Sequence, residues 1–110
     1  PGTLFVLVYI PSVLGTYTLA SEQVSVQAYE RRGNVFSAGQ LQEKSRQMRT
    51  TFAAIAKDNG LPLIDTTDAM RMAATMEPLH GPGDWNHPNR RGYEVLSEAI
   101  AKELLPILQP

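Results

Sequence analysis

LFVLVYI, residues 4–10, is a continuous apolar run rich in β-branched and aromatic side chains, and Pro11 closes it. Such a run is typical of a strand that is covered on both faces, as in a parallel sheet flanked by helices. The stretch therefore predicts an α/β fold built around a buried parallel sheet.

A second apolar run lies downstream of this strand. LPLI, residues 61–64, follows Gly60 and predicts another buried strand. Between the two strands, residues 41–57 predict an amphipathic helix that stops at Asn59 and Gly60. The apolar face of that helix consists of Leu41, Met48, Phe52, Ile55 and Ala56. A strand, a helix and a strand in this order predict a right-handed crossover that pairs the strands in parallel.

Two shorter patterns predict further helices. Residues 67–76 form the first, with Thr66 or Thr67 as its cap, Asp65 as a further capping group and Pro78 as its end. We expect its methionines to fill gaps in the core; they are Met70, Met72 and Met76.

Residues 90–105 form the second helix, which Asn89 caps and Pro106 ends. Its apolar spacing predicts a buried face that consists of Tyr93, Leu96, Ile100 and Leu104. We expect Tyr93 and Leu96 to lie in the core.

The mostly polar residues 12–40 predict a packing insertion or a lid. Within them, residues 21–31 predict a short helix that stops at Gly33. Tyr17 and Tyr29 mark this segment as a candidate carbohydrate-binding region.

Composition excludes several classes of function. With 110 residues, the chain has the size of one domain, and we expect it to bury roughly two thirds of its unfolded surface. The formal net charge of -1 leaves no basic surplus for binding nucleic acid. No apolar stretch is long enough to span a membrane, so the chain reads as soluble. The absence of cysteine excludes disulfides and thiolate chemistry, and it leaves the compartment open, an extracytoplasmic one included.

The loop GPGDWNHPNRRG, residues 81–92, carries the candidate chemistry. Ligands of open α/β sheets bind beyond the carboxyl ends of the strands, and we expect this loop to lie at that edge. Asp84 can accept the Nδ1 proton of His87 and leave Nε2 free as a general base. Alternatively, Asp84 bonds only to nearby backbone amides, as turn aspartates do, and His87 has no partner. A third reading places a metal on His80, Asp84 and His87, and we expect no metal there.

The sequence DWNHPN, residues 84–89, is followed by Gly92, Tyr93 and a terminal helix, and this block resembles the last conserved block of SGNH or GDSL-type hydrolases. The run GLPLIDTTDAM and the run LFVLVYIPS are similar to the two strands that precede that block in the family. The resemblance implies a three-layer αβα flavodoxin-like parallel sheet. It also implies that Asp84 and His87 are the acid and base members of a Ser-His-Asp triad.

The family's Gly-Asp-Ser block and its two oxyanion blocks have no counterpart among these residues. We therefore expect residues 1–110 to be the C-terminal portion of a single longer hydrolase-like domain, inactive without its nucleophile. Ser12 follows the first strand, but no G-x-S-x-G elbow surrounds it, so we expect a turn or substrate-binding role.

The expected function is serine-type hydrolysis of a small-molecule or carbohydrate acyl ester, without a cofactor. Asp84 and His87 are the catalytic candidates, and Ser12 and Trp85 are the substrate-binding candidates. The alternatives are a sugar O-acetyltransferase of the same fold and a non-catalytic binding or assembly module. Sheet edges left open also predict a homodimer.

Overall fold

The computed structural model describes residues 2–26 and 34–109. It is a mixed α/β structure with a small parallel sheet, a separate two-stranded antiparallel sheet and helices. The elements in chain order are β1 (Leu7–Tyr9), α1 (Val13–Thr16), β2 (Gln23–Val26), β3 (Asn34–Ser37), α2 (Ala38–Asp58), β4 (Leu63–Asp65), α3 (Thr67–Ala74) and α4 (Arg90–Leu108).

The parallel sheet pairs β1 with β4, so the predicted strand, helix and strand unit is confirmed. Leu7 stands opposite Leu63 and Tyr9 stands opposite Asp65. Beyond the last pair, the carbonyl of Tyr9 accepts hydrogen bonds from the Thr66 amide at 3.0 Å and the Thr66 hydroxyl at 2.8 Å. These bonds hold the carboxyl ends of the two strands together.

The expectation that the first strand is covered on both faces is wrong. Tyr9 is buried, but Val8 is 38% exposed and Phe5 is 69% exposed. The reason lies in the pairing, because within the described residues β4 occupies one edge of β1 and no strand occupies the other. Apolar side chains near that free edge therefore stay in contact with solvent.

The helix predicted at residues 41–57 is confirmed and is longer, since α2 begins at Ala38 and ends at Asp58. Ser37 Oγ accepts from the Gln40 amide at 3.4 Å, and Gly60 beyond the helix has a φ of 62°. A left-handed φ favours glycine, as the predicted helix stop requires. The expected buried face is formed only in part, because Ala56 is buried whereas the larger side chains Met48, Phe52 and Ile55 are exposed.

The hydrophobic core lies between α3 and α4. It consists of Met70, Leu79, Val95 and Leu96. A Cβ atom added to Gly92 would lie 2.3 Å from the carbonyl oxygen of Leu79, so only glycine allows α4 this close to the segment that follows α3.

Several details predicted for these helices are wrong. Tyr93 is exposed and Val95 takes the core position, because the face of α4 that meets α3 includes Gly92 and Val95 rather than Tyr93. Met72 and Met76 are exposed because only Met70 points between the helices. α4 continues past Pro106 to Leu108, since a proline removes one donor and the Gln109 amide still bonds to Leu105.

The helix predicted at residues 21–31 is also wrong where the structure describes it. Gln23–Val26 is strand β2, paired antiparallel with β3. A helical pattern is read from neighbouring residues, whereas this strand is stabilised by a partner strand farther along the chain. The helix prediction could not take that partner into account. Gly33 and Tyr29 lie outside the described residues.

The chain exposes more surface than its mass requires. Its accessible surface is 8283 Å², whereas a compact monomer of this mass exposes about 6,000 Å². The chain therefore buries about half of its unfolded surface rather than the expected two thirds. Among the helices of the described residues, none has the length and apolar character needed to cross a bilayer.

Candidate functional site

The loop that carries the candidate chemistry is fixed at both ends. His80 and Pro88 form an isolated antiparallel bridge, and the Asn89 amide donates to the Leu79 carbonyl at 2.8 Å. Leu79 is fully buried, so these bonds attach the loop to the core. Inside the loop, the Gly81 amide donates to the Asp84 carbonyl at 2.9 Å.

Asn89 organises the second end of the loop. Its Oδ1 accepts from the Gly92 amide at 3.0 Å, which confirms the predicted cap of α4. Its Nδ2 donates to the carbonyl of Pro78 at 3.1 Å and to that of His80 at 3.4 Å. One side chain thus starts the helix and holds the first residues of the loop beside it.

Asp84 and His87 are in direct contact. Asp84 Oδ2 lies 2.7 Å from His87 Nδ1. Asp84 Oδ1 accepts from the Asn86 amide at 2.8 Å and from the His87 amide at 3.3 Å. The carboxylate therefore makes the turn contacts and also binds the imidazole, one oxygen for each task.

The electrostatics of this contact favour an ionised carboxylate. The hydrogen bond from the His87 side chain, followed by the one from the Asn86 amide, lowers the pKa of Asp84 below its usual value. In the described residues, Nε2 of His87 has no hydrogen-bond partner. The side chains of His87 and Asp84 are 71% and 56% exposed, so Nε2 is accessible from solvent.

Trp85 forms one wall of a cavity next to this contact. Its indole packs on Gly81 so closely that an added Cβ would lie 2.7 Å from the ring. The cavity has a volume of about 430 Å³, and we name it the Trp85 cavity. Its lining consists of Tyr17, Ala74, Thr75, Met76, Glu77, Pro78 and Trp85.

Ser12 lies on a different cavity from Trp85. It caps α1, where its Oγ accepts from the Gly15 amide at 3.3 Å and lies 3.5 Å from Ser45 Oγ. The cavity beside it has a volume of about 590 Å³ and is mostly apolar, with Leu14, Met48 and Phe52 in its wall. The predicted turn role of Ser12 is thus present, and the two substrate-binding candidates do not share one pocket.

His80 is buried and is bound by Tyr17, a contact that the sequence did not reveal. The Tyr17 hydroxyl accepts from the amides of Leu79 at 2.8 Å and His80 at 3.0 Å, and it lies 3.0 Å from His80 Nδ1. Both lone pairs are used, so its hydrogen points to Nδ1, which must be unprotonated. Burial lowers the pKa of His80, and the charge of Asp84 opposes that shift.

This environment does not fit the metal reading. Nδ1 of His80 is already bound to a hydroxyl, and the described residues contain no group of three His, Cys, Asp or Glu side chains that could hold a metal ion.

At the carboxyl ends of the parallel strands, Asp65 is fully engaged. Its Oδ1 accepts from the Thr67 amide at 3.0 Å, which confirms its predicted capping role, and Arg49 Nε lies 2.5 Å from its Oδ2. Arg49 also contacts Asp68 at 3.3 Å. Burial alone would raise the pKa of Asp65, but the hydrogen bonds from Thr67 and Arg49 outweigh it and lower this pKa. Asp65 is therefore committed to structure.

Comparison with known proteins gives no further assignment, since no family model, curated protein or solved structure matches this chain.

Proposed function

We propose that this chain is the C-terminal portion of a serine-type acyl ester hydrolase that resembles the SGNH or GDSL-type enzymes, with a three-layer flavodoxin-like sheet. One observation carries the proposal: Asp84 Oδ2 lies 2.7 Å from His87 Nδ1. A carboxylate at this atom fixes the tautomer of the imidazole and stabilises the imidazolium, which makes Nε2 a general base.

In the proposed reaction, a serine hydroxyl supplied by another part of the natural protein attacks the ester carbonyl. Nε2 of His87 takes the hydroxyl proton as the oxygen–carbon bond forms, and then gives it to the alcohol that leaves. Water repeats the sequence on the acyl-serine, releasing the acid and restoring the hydroxyl. Asp84 keeps its negative charge throughout and compensates the positive charge on His87.

Ser12, the serine that follows β1, offers no better nucleophile. Ser12 Oγ already accepts from the Gly15 amide and neighbours Ser45 rather than a base. This supports a nucleophile from outside the 110 residues. Support for a larger domain comes from the free edge of β1 and from the surface of 8283 Å², which exceeds that of a compact monomer.

The test uses the natural protein that contains this chain and a chromogenic acetate ester. We expect His87→Ala to lower kcat/KM by about 100-fold or more, and Asp84→Asn to lower it by a comparable factor. Asp84→Asn keeps an oxygen for the turn amides and removes the charged acceptor of Nδ1. Asn86→Ala is the matched control, because only the backbone of Asn86 contacts Asp84.

Three outcomes separate this proposal from its alternatives. Equal activity in His87→Ala and Asn86→Ala would contradict a base at His87. Faster turnover with an added sugar as acceptor would favour the O-acetyltransferase, because an alcohol then replaces water. A natural protein with ligand binding but no esterase activity, and no Gly-Asp-Ser block in its sequence, would favour the binding module.

We also propose that this chain, when it is alone, forms a homodimer through the free edge of β1. The surface in excess of a compact monomer is about 2,300 Å², whereas a standard interface takes about 800 Å² from each partner. The exposed apolar side chains that surround the edge are Leu4, Phe5, Val8 and Ile10. A second copy can pair with this edge and cover those side chains together.

A further inference from the structure

A second cavity adjoins the Trp85 cavity and contains a cationic side chain. Its volume is about 410 Å³, and it is lined by Thr16, Tyr17, Thr18, Arg71, Ala74 and Thr75. The two cavities share Tyr17, Ala74 and Thr75, so they lie side by side between Arg71 and Trp85. We name them together the Arg71 groove; both of its parts have the size of small-ligand sites.

The charge of Arg71 is not neutralised by the acidic residues of the described chain. Asp65 and Asp68 contact Arg49, and Glu77, which also lines the groove, is held by Arg91 at 2.6 Å. Arg71 itself uses Nε to donate to the Gly15 carbonyl at 2.7 Å. A guanidinium has five N–H donors, so four remain for a ligand.

The threonines of the groove offer the opposite kind of hydrogen bond. The hydroxyl of Thr16 donates to the Ser12 carbonyl at 2.8 Å, and the hydroxyl of Thr75 donates to the Met72 carbonyl at 2.6 Å. Because their protons are used, these oxygens can only accept. Thr16 is buried, so the exposed Thr75 is the acceptor that a ligand can reach. A ligand that complements the groove therefore carries an anion for Arg71 and a hydroxyl group that donates to Thr75.

We propose that the Arg71 groove is a binding site for a small hydroxylated organic carboxylate. A carboxylate matches the planar fork of a guanidinium with two parallel hydrogen bonds. As a binding site, the groove does not depend on the chemistry at His87. Only its use as a site for part of the ester substrate rests on the proposed function. The simpler role of Arg71, tying α1 to α3 through Gly15, predicts no selective binding.

The test is an NMR titration of the ¹⁵N-labelled chain with gluconate, sorbitol and acetate. Sorbitol carries an alcohol group where gluconate carries its carboxylate, and the two molecules are otherwise the same. Acetate has the carboxylate but lacks the hydroxyl groups. We expect gluconate to shift the Arg71 Nε resonance with a Kd on the order of a millimolar, sorbitol to leave it unchanged, and acetate to bind more weakly than gluconate. Arg71→Gln should lower the gluconate affinity by about tenfold.

Arg90→Gln is the matched control, because it removes the same charge from an exposed position in the first turn of α4. Equal affinities for gluconate and sorbitol, or an equal loss in both variants, would overturn the site. If the spectrum of Arg71→Gln shows that it does not fold, the titration of the wild-type chain decides the question. His87→Ala should keep gluconate binding, so a failure of the ester chemistry and a failure of this site remain distinguishable.

Discussion

One carboxylate oxygen of Asp84 accepts from the turn amides, and the other binds the imidazole of His87. The pKa of Asp84 can separate the contributions of these two contacts. The His87 side chain makes the largest contribution to its lowered pKa, and the Asn86 amide makes the next. We expect a carboxyl pKa below the ordinary aspartate value of about 3.9. In His87→Ala the pKa of Asp84 should rise but stay below the ordinary value, because the hydrogen bond from the Asn86 amide remains.

The measurement is a ¹³C NMR titration of the Asp84 carboxyl, with Asn86→Ala as the control that should leave the pKa unchanged. A carboxyl with a lowered folded-state pKa contributes stability above its unfolded pKa and loses that contribution as the pH falls through the folded value. The Asp84 to His87 contact should therefore persist from neutral pH into mildly acidic solution. An unchanged pKa in His87→Ala would show that the imidazole does not bind the carboxylate in solution.

Residues that act on close neighbours in the chain were the predictable part of the site. Asp84, His87, Asn89 and Asp65 each make a hydrogen bond with a group two or three positions away, and spacing indicated those bonds. Tyr17 binds residues more than 60 positions away. No local pattern contains such a contact, which is why these bonds were not predicted.

At the scale of elements, Tyr17 joins the segment after α1 to the start of the loop of residues 81–92. Its hydroxyl accepts from the amides of Leu79 and His80. Tyr17→Phe leaves these two donors without a partner, and we expect it to lower the free energy of unfolding by about 2 kcal/mol. Tyr93→Phe is the control, because Tyr93 is 56% exposed and its ring lies outside the core.

Urea unfolding of both variants gives the comparison, and hydrogen exchange at the two amides locates the effect. We expect faster exchange at Leu79 and His80 in Tyr17→Phe only. If both variants lose the same stability, the hydroxyl does not hold the loop, and the loop depends on Asn89 and the core contact of Leu79 instead.

Element boundaries followed the sequence where a side chain sets them. Asn59 and Gly60 end α2, and Asn89 starts α4, because cap and left-handed positions are local requirements. The antiparallel pairing of β2 with β3 was not predicted, because Gln23–Val26 becomes a strand only through its contact with Asn34–Ser37. Such pairing depends on tertiary context, which the periodicity of one segment does not contain.

At the scale of the whole molecule, the apolar pattern predicted more burial than the chain achieves. Periodicity marks the face of α2 that contains Met48 and Ile55, but it does not say which element covers that face. Within the described residues no strand pairs with the other edge of β1, and the apolar side chains of this face stay exposed. This uncovered apolar surface is part of the surplus surface of the chain.

This surplus leads to the last prediction, that the chain alone dimerises through β1. Val8→Lys places a charge beside the free edge, where lysine opposes pairing between strands, and should make the chain monomeric without unfolding it, because Val8 is already exposed. Val35→Lys is the control, since Val35 is an exposed valine of the other sheet. Sedimentation velocity should give a dimer for the wild-type chain and for Val35→Lys, and a monomer for Val8→Lys. A wild-type chain that stays monomeric at high concentration would exclude a second copy as the partner of this edge.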